Sequence, residues 1–303
     1  MLKPIDFNTK MDYSYVMQCV EDLKEHGAAV FSIGKSWQGN SLYNVKLGAG
    51  ERKILYVGAH HALEWCTSQI LLQFAIDLHS ALKTGKRLCG CSPARIFSDI
   101  EINIIPMLNP DGVEMGINGM SKDNPYYERV FKYNGDGDDF ENWQANARGV
   151  DLNHNYNYKW AQGKKFEHEL GLFGGGPTRY SGEYPESEKE TAALCGFARS
   201  IKPYALLALH SQGGEIYSNL GKKDSTKYRS AITILSKISG YANESVDGYS
   251  DCGGCKDWFA SELGGIGLTI EAGHGKNPLT AEQSFKAYNE LKELLTVSPA
   301  LLK

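Results

Sequence analysis

His61 and Glu64 have the residue types and the spacing of metal ligands. They are three positions apart, so one helical turn would bring both side chains to the same side. An imidazole nitrogen and a carboxylate oxygen are two of the ligands that zinc accepts in proteins. So short a pattern also occurs at an ordinary helix start with an unrelated histidine. A zinc site therefore requires a further ligand from elsewhere in the chain.

A strand and a helix are the elements that would position this pair. The apolar run Ile54–Val57 predicts a buried strand, Gly58 ends it, and the apolar spacing over Leu63–Leu78 predicts a helix. His61 and Glu64 thus follow the carboxyl end of a strand. In open α/β sheets, ligands bind at this end of the strands.

Two later strands end in residues of the same chemistry. Ala205–Leu209 is followed by His210, and Gly267–Ile270 is followed by Glu271. One such residue alone is more often a satisfied polar end of a strand. Three strands that deliver such residues to one sheet edge instead predict a shared zinc site, with two histidines and Glu64 as ligands and a fourth position left for water. Glu271, which is not a ligand, is then the expected base for that water.

Alternating strands and helices along the rest of the chain predict an α/β fold. We expect further strands over 28–33, 42–47 and 100–105, and helices over 13–26, 189–199, 228–239 and 281–295. Ser187 and Glu190 have the capping-box spacing at the start of one of these helices. Because no repeat and no Pro/Ser-rich linker interrupts the pattern, we expect one domain over residues 1–303, with helices flanking a mostly parallel sheet.

The composition narrows the class of protein. The chain has 303 residues, of which 42% are hydrophobic and 22% charged, and its net charge is −4. This is typical of a soluble globular protein, and the slight acidity argues against nucleic acid as a partner. No apolar run approaches the roughly 20 residues of a membrane span. The N-terminal residues lack the apolar core of a signal peptide, which predicts a cytoplasmic protein, or a secreted one if a leader was removed. Seven cysteines without a regular framework predict reduced thiols.

Five motifs in a fixed order resemble those of the zinc metallocarboxypeptidases. They are Gly58–Trp65, Asn109–Gly112, Gly149–Asn153, His210–Ser211 and Thr269–Glu271, and the similarity extends from Tyr13 to the last helix. The resemblance implies a single catalytic domain with a mixed, roughly eight-stranded twisted sheet flanked by helices. It also implies one zinc ion per chain, bound by His61, Glu64 and His210.

The same resemblance assigns roles to other residues. Asp151 would hold the free nitrogen of His61 and so set its tautomer. Arg148 would polarise the scissile carbonyl and stabilise the oxyanion, and the alternative for this residue is a surface ion pair. Asn153 and Tyr249 would bind substrate. Tyr249 has the family's separation from Asp257 and follows Asp247-Gly248, a turn pair that predicts an exposed loop.

Within this family the details of the sequence resemble the bacterial γ-D-glutamyl–meso-diaminopimelate peptidases, which cut cell-wall stem peptides. The similar stretches are Trp143–Asn155, His210–Gly213, Lys256–Phe259 and Gly275–Leu279. Members of that group often carry peptidoglycan-binding repeats and a signal peptide, and we recognise neither in this sequence.

Two departures from the conventional carboxypeptidases concern specificity. His154 follows Asn153 where those enzymes have an arginine that grips the terminal carboxylate, and an imidazole cannot make that two-pronged contact. Lys256 occupies the position that lines the specificity pocket, where an ammonium would attract the distal carboxylate of diaminopimelate. The alternative is that Lys256 points to solvent. The pair Cys252 and Cys255 has no second pair with ligand spacing, so we interpret it as structural or incidental.

These features together predict a zinc peptidase that hydrolyses the γ-D-glutamyl–meso-diaminopimelate bond of peptidoglycan stem peptides. The nearer alternative is a conventional zinc carboxypeptidase that removes C-terminal residues. A non-catalytic peptide-binding relative is the alternative from another class, and such relatives usually lack a ligand or the base. The expected partner is a peptidoglycan-derived peptide, with no nucleic acid and no membrane span.

Overall fold

The computed structural model describes residues 2–245 and 248–303. Asp247, one half of the turn pair expected before Tyr249, lies outside the described residues. Eight strands occur in the described part of the chain. They are β1 (Ala29–Lys35), β2 (Ser41–Leu47), β3 (Arg52–Val57), β4 (Ile100–Ile105), β5 (Ala205–His210), β6 (Glu215–Asn219), β7 (Ala242–Glu244) and β8 (Ile266–Glu271).

The same residues contain ten α-helices and several short 3₁₀ turns. The helices are α1 (Tyr13–Glu25), α2 (Cys66–Thr84), α3 (Pro93–Ile96), α4 (Pro110–Asn118), α5 (Tyr127–Tyr133), α6 (Trp160–Glu169), α7 (Lys189–Ile201), α8 (Thr226–Ser239), α9 (Cys255–Glu262) and α10 (Ala281–Leu301). In the described ranges, none of these helices combines the length and the apolar content needed to cross a membrane.

All eight strands belong to one mixed sheet with the order β1-β2-β4-β3-β5-β8-β6-β7. Its centre, β4-β3-β5-β8, is parallel, whereas β1, β2 and β6 run antiparallel to neighbours at the edges. Every residue of β5 is buried, which is why this strand appears in the sequence as an uninterrupted apolar run. The expected mixed, roughly eight-stranded α/β sheet is confirmed.

The two faces of the sheet contact different helices, and β3 contributes alternate residues to each. Ile54 and Tyr56 pack in a core formed with α2, α8 and α10. Leu55 and Val57 pack on the opposite face with α7 and α9. This alternation follows from the two-residue period of a strand, and it holds the central strands between two helical layers.

The segment after β3 differs in detail from the expected helix start. Gly58 follows the strand, and a Cβ at this position would lie 2.8 Å from the carbonyl oxygen of Pro106, so the close approach of the two chains requires glycine. Ala62–Glu64 then forms a separate 3₁₀ turn, with His61 in the extended conformation just before it. His61 and Glu64 therefore precede α2 rather than lying in its first turn.

Tertiary contacts also override two other expectations. α7 begins at Lys189 with Glu188 at its N-cap, and no side chain makes a capping bond there. The expected capping box is wrong because the Ser187 hydroxyl contacts the carboxylate of Glu188 and the amide of Asn155 instead. The elements α5, α6, α9, β6 and β7 lie in segments without clear periodicity and were not expected from the sequence.

Candidate active site

The carboxyl ends of three neighbouring strands meet at one edge of the sheet. His210 and Glu271 are the last residues of β5 and β8 and are paired across these two strands. β5 pairs with β8 on one side and with β3 on the other, and His61 and Glu64 follow β3. The shared edge of these parallel strands is why residues so distant in the sequence come together.

His61, Glu64 and His210 form a compact group of donor atoms. Nδ1 of His61 lies 2.9 Å from Oε1 of Glu64, and Nδ1 of His210 lies 3.0 Å from Oε2 of the same carboxylate. One donor atom from each residue falls within 4.8 Å of the others. No other such group of three or more His, Cys, Asp or Glu residues occurs in the described part of the chain.

This donor set suits a zinc ion. Two imidazole nitrogens and a carboxylate leave one tetrahedral position open, which is the arrangement of catalytic zinc sites. Both Nδ1 atoms face the same buried carboxylate, whose negative charge needs a positive charge beside it. Burial lowers the pKa of His61, but the carboxylates of Glu64 and Asp151 outweigh burial and raise that pKa well above 6.5. A divalent cation would supply this positive charge through the same atoms.

Asp151 contacts the other nitrogen of His61. Its Oδ1 atom lies 3.1 Å from Nε2 of His61. Burial raises the pKa of Asp151, but His61 and His154 outweigh burial and hold it well below 3.8. An ionised Asp151 accepts a hydrogen bond from a protonated Nε2 of His61, which leaves Nδ1 of the same ring free as a metal ligand.

Glu271 faces this group without belonging to it. Burial raises the pKa of its carboxyl group well above 4.5, and the nearby carboxylate of Glu64 adds to the rise. A carboxyl group of raised pKa is suited to accept a proton and return it near neutral pH.

A cavity of about 260 Å³ opens beside His61 and Glu271. Asn153 and His154 line one part of it, and Lys256 and Thr269 line another. The His154 ring donates from Nδ1 to the carbonyl oxygen of Cys252, at 2.8 Å. Tyr249 stacks on this ring, with 4.3 Å between the centroids. The cavity therefore lies next to the donor atoms and is lined mainly by polar residues.

Comparison with known proteins agrees with this geometry. The sequence profile described as zinc carboxypeptidase matches residues 13–293. The chain belongs to the zinc carboxypeptidase family, peptidase M14. It is 30% identical over 287 residues to the γ-D-glutamyl-L-diamino acid endopeptidase 1 of Lysinibacillus sphaericus, which covers 93% of this chain and 71% of that protein. The protein is thus a zinc metallopeptidase, and zinc is its cofactor.

Solved structures have the same fold. Thrombin-activatable fibrinolysis inhibitor superposes with a TM-score of 0.69 at 19% identity, covering 97% of this chain and 77% of that one. The murein-tripeptide amidase of Escherichia coli O157 superposes with a TM-score of 0.51 at 18% identity, covering 92% of this chain and 95% of that one. At these identities the likeness concerns the fold.

In this zinc metallopeptidase Lys256 is buried and does not point to solvent. It lies in the first turn of α9, and only 6% of its surface is exposed. Its Nζ atom donates to Oδ2 of Asp257 at 2.6 Å, and Asn219 donates to the other carboxylate oxygen at 2.7 Å. The lysine charge in the cavity is therefore already paired, in contrast to the free ammonium expected from the sequence.

Among the described site residues, Arg148 is the expected one that contacts neither the donor group nor the residues that line the cavity. Its Nη1 atom donates to Oε1 of the buried Glu188 at 3.3 Å, and its guanidinium lies 4.3 Å from the centre of the Trp37 ring. Gly149 follows with φ of 75°, which turns the chain sharply between Arg148 and Asp151. No contact in the described residues supports the expected oxyanion role of Arg148, which stays a prediction.

Sequence reasoning missed the residues that contact Asp151 from the segment before α7. The main-chain N–H of Arg179 donates to Oδ2 of Asp151 at 3.0 Å. The Thr178 hydroxyl contacts the same oxygen at 3.4 Å and also donates to the side chain of Gln144. The one available signal was the glycine-rich stretch 174–176, which predicts a loop but does not indicate what the loop contacts.

Proposed function

We propose that this zinc peptidase hydrolyses the γ-D-glutamyl–meso-diaminopimelate bond of peptidoglycan stem peptides, and that residues 1–303 form one catalytic domain. The observation that carries this proposal is the buried Lys256–Asp257 ion pair in the cavity next to Glu271 and His61. A buried ion pair costs desolvation energy and contributes little to stability, so its presence in a binding cavity favours a role in recognition. Diaminopimelate has a charged distal end that such a pair can recognise.

The name of the Lysinibacillus sphaericus relative supports the same substrate class. That protein is described as acting at γ-D-glutamyl bonds to L-diamino acids. We extend this activity to the present chain because the alignment covers nearly all of it and because the cavity offers charged groups to the leaving residue. In this proposal Lys256 binds the distal carboxylate of diaminopimelate, and Asn153, His154 and Tyr249 bind the remainder of the leaving residue.

The proposed reaction assigns a step to each residue of the site. His61, Glu64 and His210 would hold the zinc ion, which when bound acts as a Lewis acid toward water and the scissile carbonyl. Glu271 takes a proton from the attacking water and returns it to the amine of the departing diaminopimelate. Asp151 keeps His61 in the tautomer that presents Nδ1.

A conventional carboxypeptidase remains the second candidate. The observation in its favour is that the relatives of the chain include carboxypeptidases that match it over much of its length. Against it, Nδ1 of His154 is engaged with Cys252, so this residue has one ring nitrogen at most for a terminal carboxylate. A non-catalytic relative is least favoured, since the three donors and Glu271 are all present.

One assay separates these candidates. Zinc-loaded protein is incubated with L-Ala-γ-D-Glu-meso-diaminopimelate, with the lysine counterpart, and with hippuryl amino acids. Rapid release of diaminopimelate with little hydrolysis of hippuryl substrates is the expected result. Preferential hydrolysis of hippuryl substrates would support the conventional carboxypeptidase instead. A protein that binds zinc and cuts none of them would leave the non-catalytic candidate.

A further inference from the structure

Arg179 lies next to the active site, and its side chain has no assigned role. Its main chain is anchored on both sides by site residues. The N–H donates to Oδ2 of Asp151 at 3.0 Å, and the carbonyl oxygen accepts from the hydroxyl of Tyr249. Asp151 contacts His61, and Tyr249 stacks on His154. Both residues that bind the Arg179 main chain therefore contact a residue that lines the cavity.

The backbone at Arg179 is in an unfavourable conformation. Its φ of 70° lies in the left-handed region, which a long L-residue seldom adopts. Such a conformation costs of the order of 1–3 kcal/mol, and it persists where surrounding contacts impose it, often at functional sites. Here two main-chain bonds, to Asp151 and to Tyr249, hold Arg179 in this conformation.

The guanidinium of Arg179 is available for a ligand. The residue is exposed, and its guanidinium makes no hydrogen bond and no ion pair with any residue of the described ranges. This contrasts with Arg148 and Arg199, whose guanidinium groups are paired with glutamates. Burial raises the pKa of Tyr249 above 10, Asp151 adds to the rise, and Arg179 acts in the opposite direction. An unpaired positive charge therefore lies close to the Tyr249 hydroxyl.

The proposed substrate carries a carboxylate that no assigned residue recognises. In a γ-linked glutamate the scissile carbonyl belongs to the side chain, so the α-carboxylate is free and only a few bonds from the bond that is cut. This carboxylate lies on the acyl side of the scissile bond, whereas Lys256 lines the cavity that the proposed function assigns to the leaving residue. Arg179 is not among the residues that line that cavity, and its anchor Asp151 leads to His61.

We propose that Arg179 binds the free α-carboxylate of the D-glutamyl residue and thereby selects γ-linked over ordinary peptide substrates. This inference rests on the proposed function, because it takes the γ-D-glutamyl peptide as substrate. A guanidinium can donate two parallel hydrogen bonds to a carboxylate, which gives orientation as well as attraction. An ordinary peptide has no carboxylate at the corresponding place, and a D-isoglutamine peptide has a neutral amide there.

The test compares three matched peptides with zinc-loaded protein. The first is L-Ala-γ-D-Glu-meso-diaminopimelate, the second has D-isoglutamine in place of D-glutamate, and the third carries an amide on the C-terminal carboxyl of diaminopimelate. We expect wild type to prefer the first over the second by about tenfold or more in kcat/KM, as for a hydrogen bond to a charged group. The variant Arg179→Gln keeps the same backbone cost and should cut these two peptides within about threefold of each other.

Controls separate recognition from folding. Arg179→Lys keeps the charge and should retain part of the preference, whereas Arg129→Met removes an exposed arginine of α5 and should leave it unchanged. The inference would be overturned if Arg179→Gln lowered kcat/KM equally on all three peptides. It would also be overturned if the variant changed only the preference between the first peptide and the C-terminal amide. Equal kcat/KM of wild type on the first two peptides would overturn the inference and leave the proposed function standing. No cleavage of any peptide would overturn the proposed function, and this inference with it.

Discussion

Nε2 of His61 lies 3.1 Å from Oδ1 of Asp151, a residue 90 positions later in the chain. Asp151 also accepts the main-chain N–H groups of Asn153 and Arg179. These bonds hold the carboxylate in one orientation, and the carboxylate in turn holds the imidazole. The contact links the 3₁₀ turn after β3 to the loop that carries the expected substrate-binding residues.

We expect Asp151→Asn to weaken zinc binding. An amide does not provide the negative charge that fixes the tautomer of His61, and losing such a partner typically costs about 10- to 100-fold in metal affinity. Competition with a chromogenic chelator measures this loss directly. Asp123→Asn, an exposed substitution, is the matched control and should bind zinc as wild type does. Unchanged affinity in Asp151→Asn would mean that Asp151 only supports the loop.

Glu271→Gln should keep zinc and lose turnover. The amide has nearly the same shape but cannot take a proton from water or return it to the amine, so we expect a loss of about 10³-fold or more. Metal analysis checks that zinc is retained, and kcat on the diaminopimelate tripeptide measures the loss of turnover. The control is Glu215→Gln, which changes a neighbouring carboxylate that accepts from the Tyr217 hydroxyl. A zinc-bound Glu271→Gln within tenfold of wild type would contradict the assignment.

Lys256→Met should change substrate preference without affecting zinc. Its removal takes a cation away from the distal carboxylate and leaves Asp257 unpaired beside the cavity, so kcat/KM for the diaminopimelate tripeptide should fall by roughly 30- to 1,000-fold. The lysine-containing tripeptide should gain relative to it, since a repulsive charge is removed. Lys222→Met, at an exposed position, serves as control. Equal loss on both tripeptides would indicate that Lys256 only neutralises Asp257.

Arg148→Met should lower the stability of the fold. Its removal leaves Glu188 buried without its cation, and breaking such a pair costs about 3 kcal/mol. We expect a lower urea midpoint, and kcat per folded, zinc-loaded molecule then tests the oxyanion role separately from the structural one. Arg129→Met should change neither quantity. A large loss of kcat at unchanged stability would instead support the oxyanion role that the sequence suggests.

The stability of the fold should fall as the pH rises from about 5 to 9, through Glu190. Burial raises the pKa of this carboxyl to about 8, and the nearby Asp111 carboxylate adds to the rise. The folded state thus holds a proton that the unfolded chain releases near pH 4.5, so the stabilisation is complete below pH 4.5 and is lost through pH 8. Thermal melts across this range measure the effect, and Glu190→Gln should flatten the curve. An equally steep curve in the variant would assign the dependence to another group.

The sequence by itself determined the class of fold and the residues at the strand ends. Short apolar runs such as Ile54–Val57, which Gly58 ends, predict buried strands, and parallel strands share one carboxyl edge. That reasoning is enough to expect His61, Glu64, His210 and Glu271 together, and the structure brings them together. Their placement depends on regular elements whose periodicity is visible in the residues themselves.

Only the tertiary structure decided which partners the charged residues of the irregular segments have. Arg148 is three residues from Asp151 yet pairs with Glu188, forty positions away, because the turn at Gly149 separates the two side chains. Arg179 reaches Asp151 and Tyr249 through main-chain bonds, which residue type does not reveal. Lys256 is neutralised by its own neighbour Asp257 because both side chains are buried at the first turn of α9. Such contacts depend on burial and on the geometry of irregular loops, which no periodic pattern in the sequence reveals.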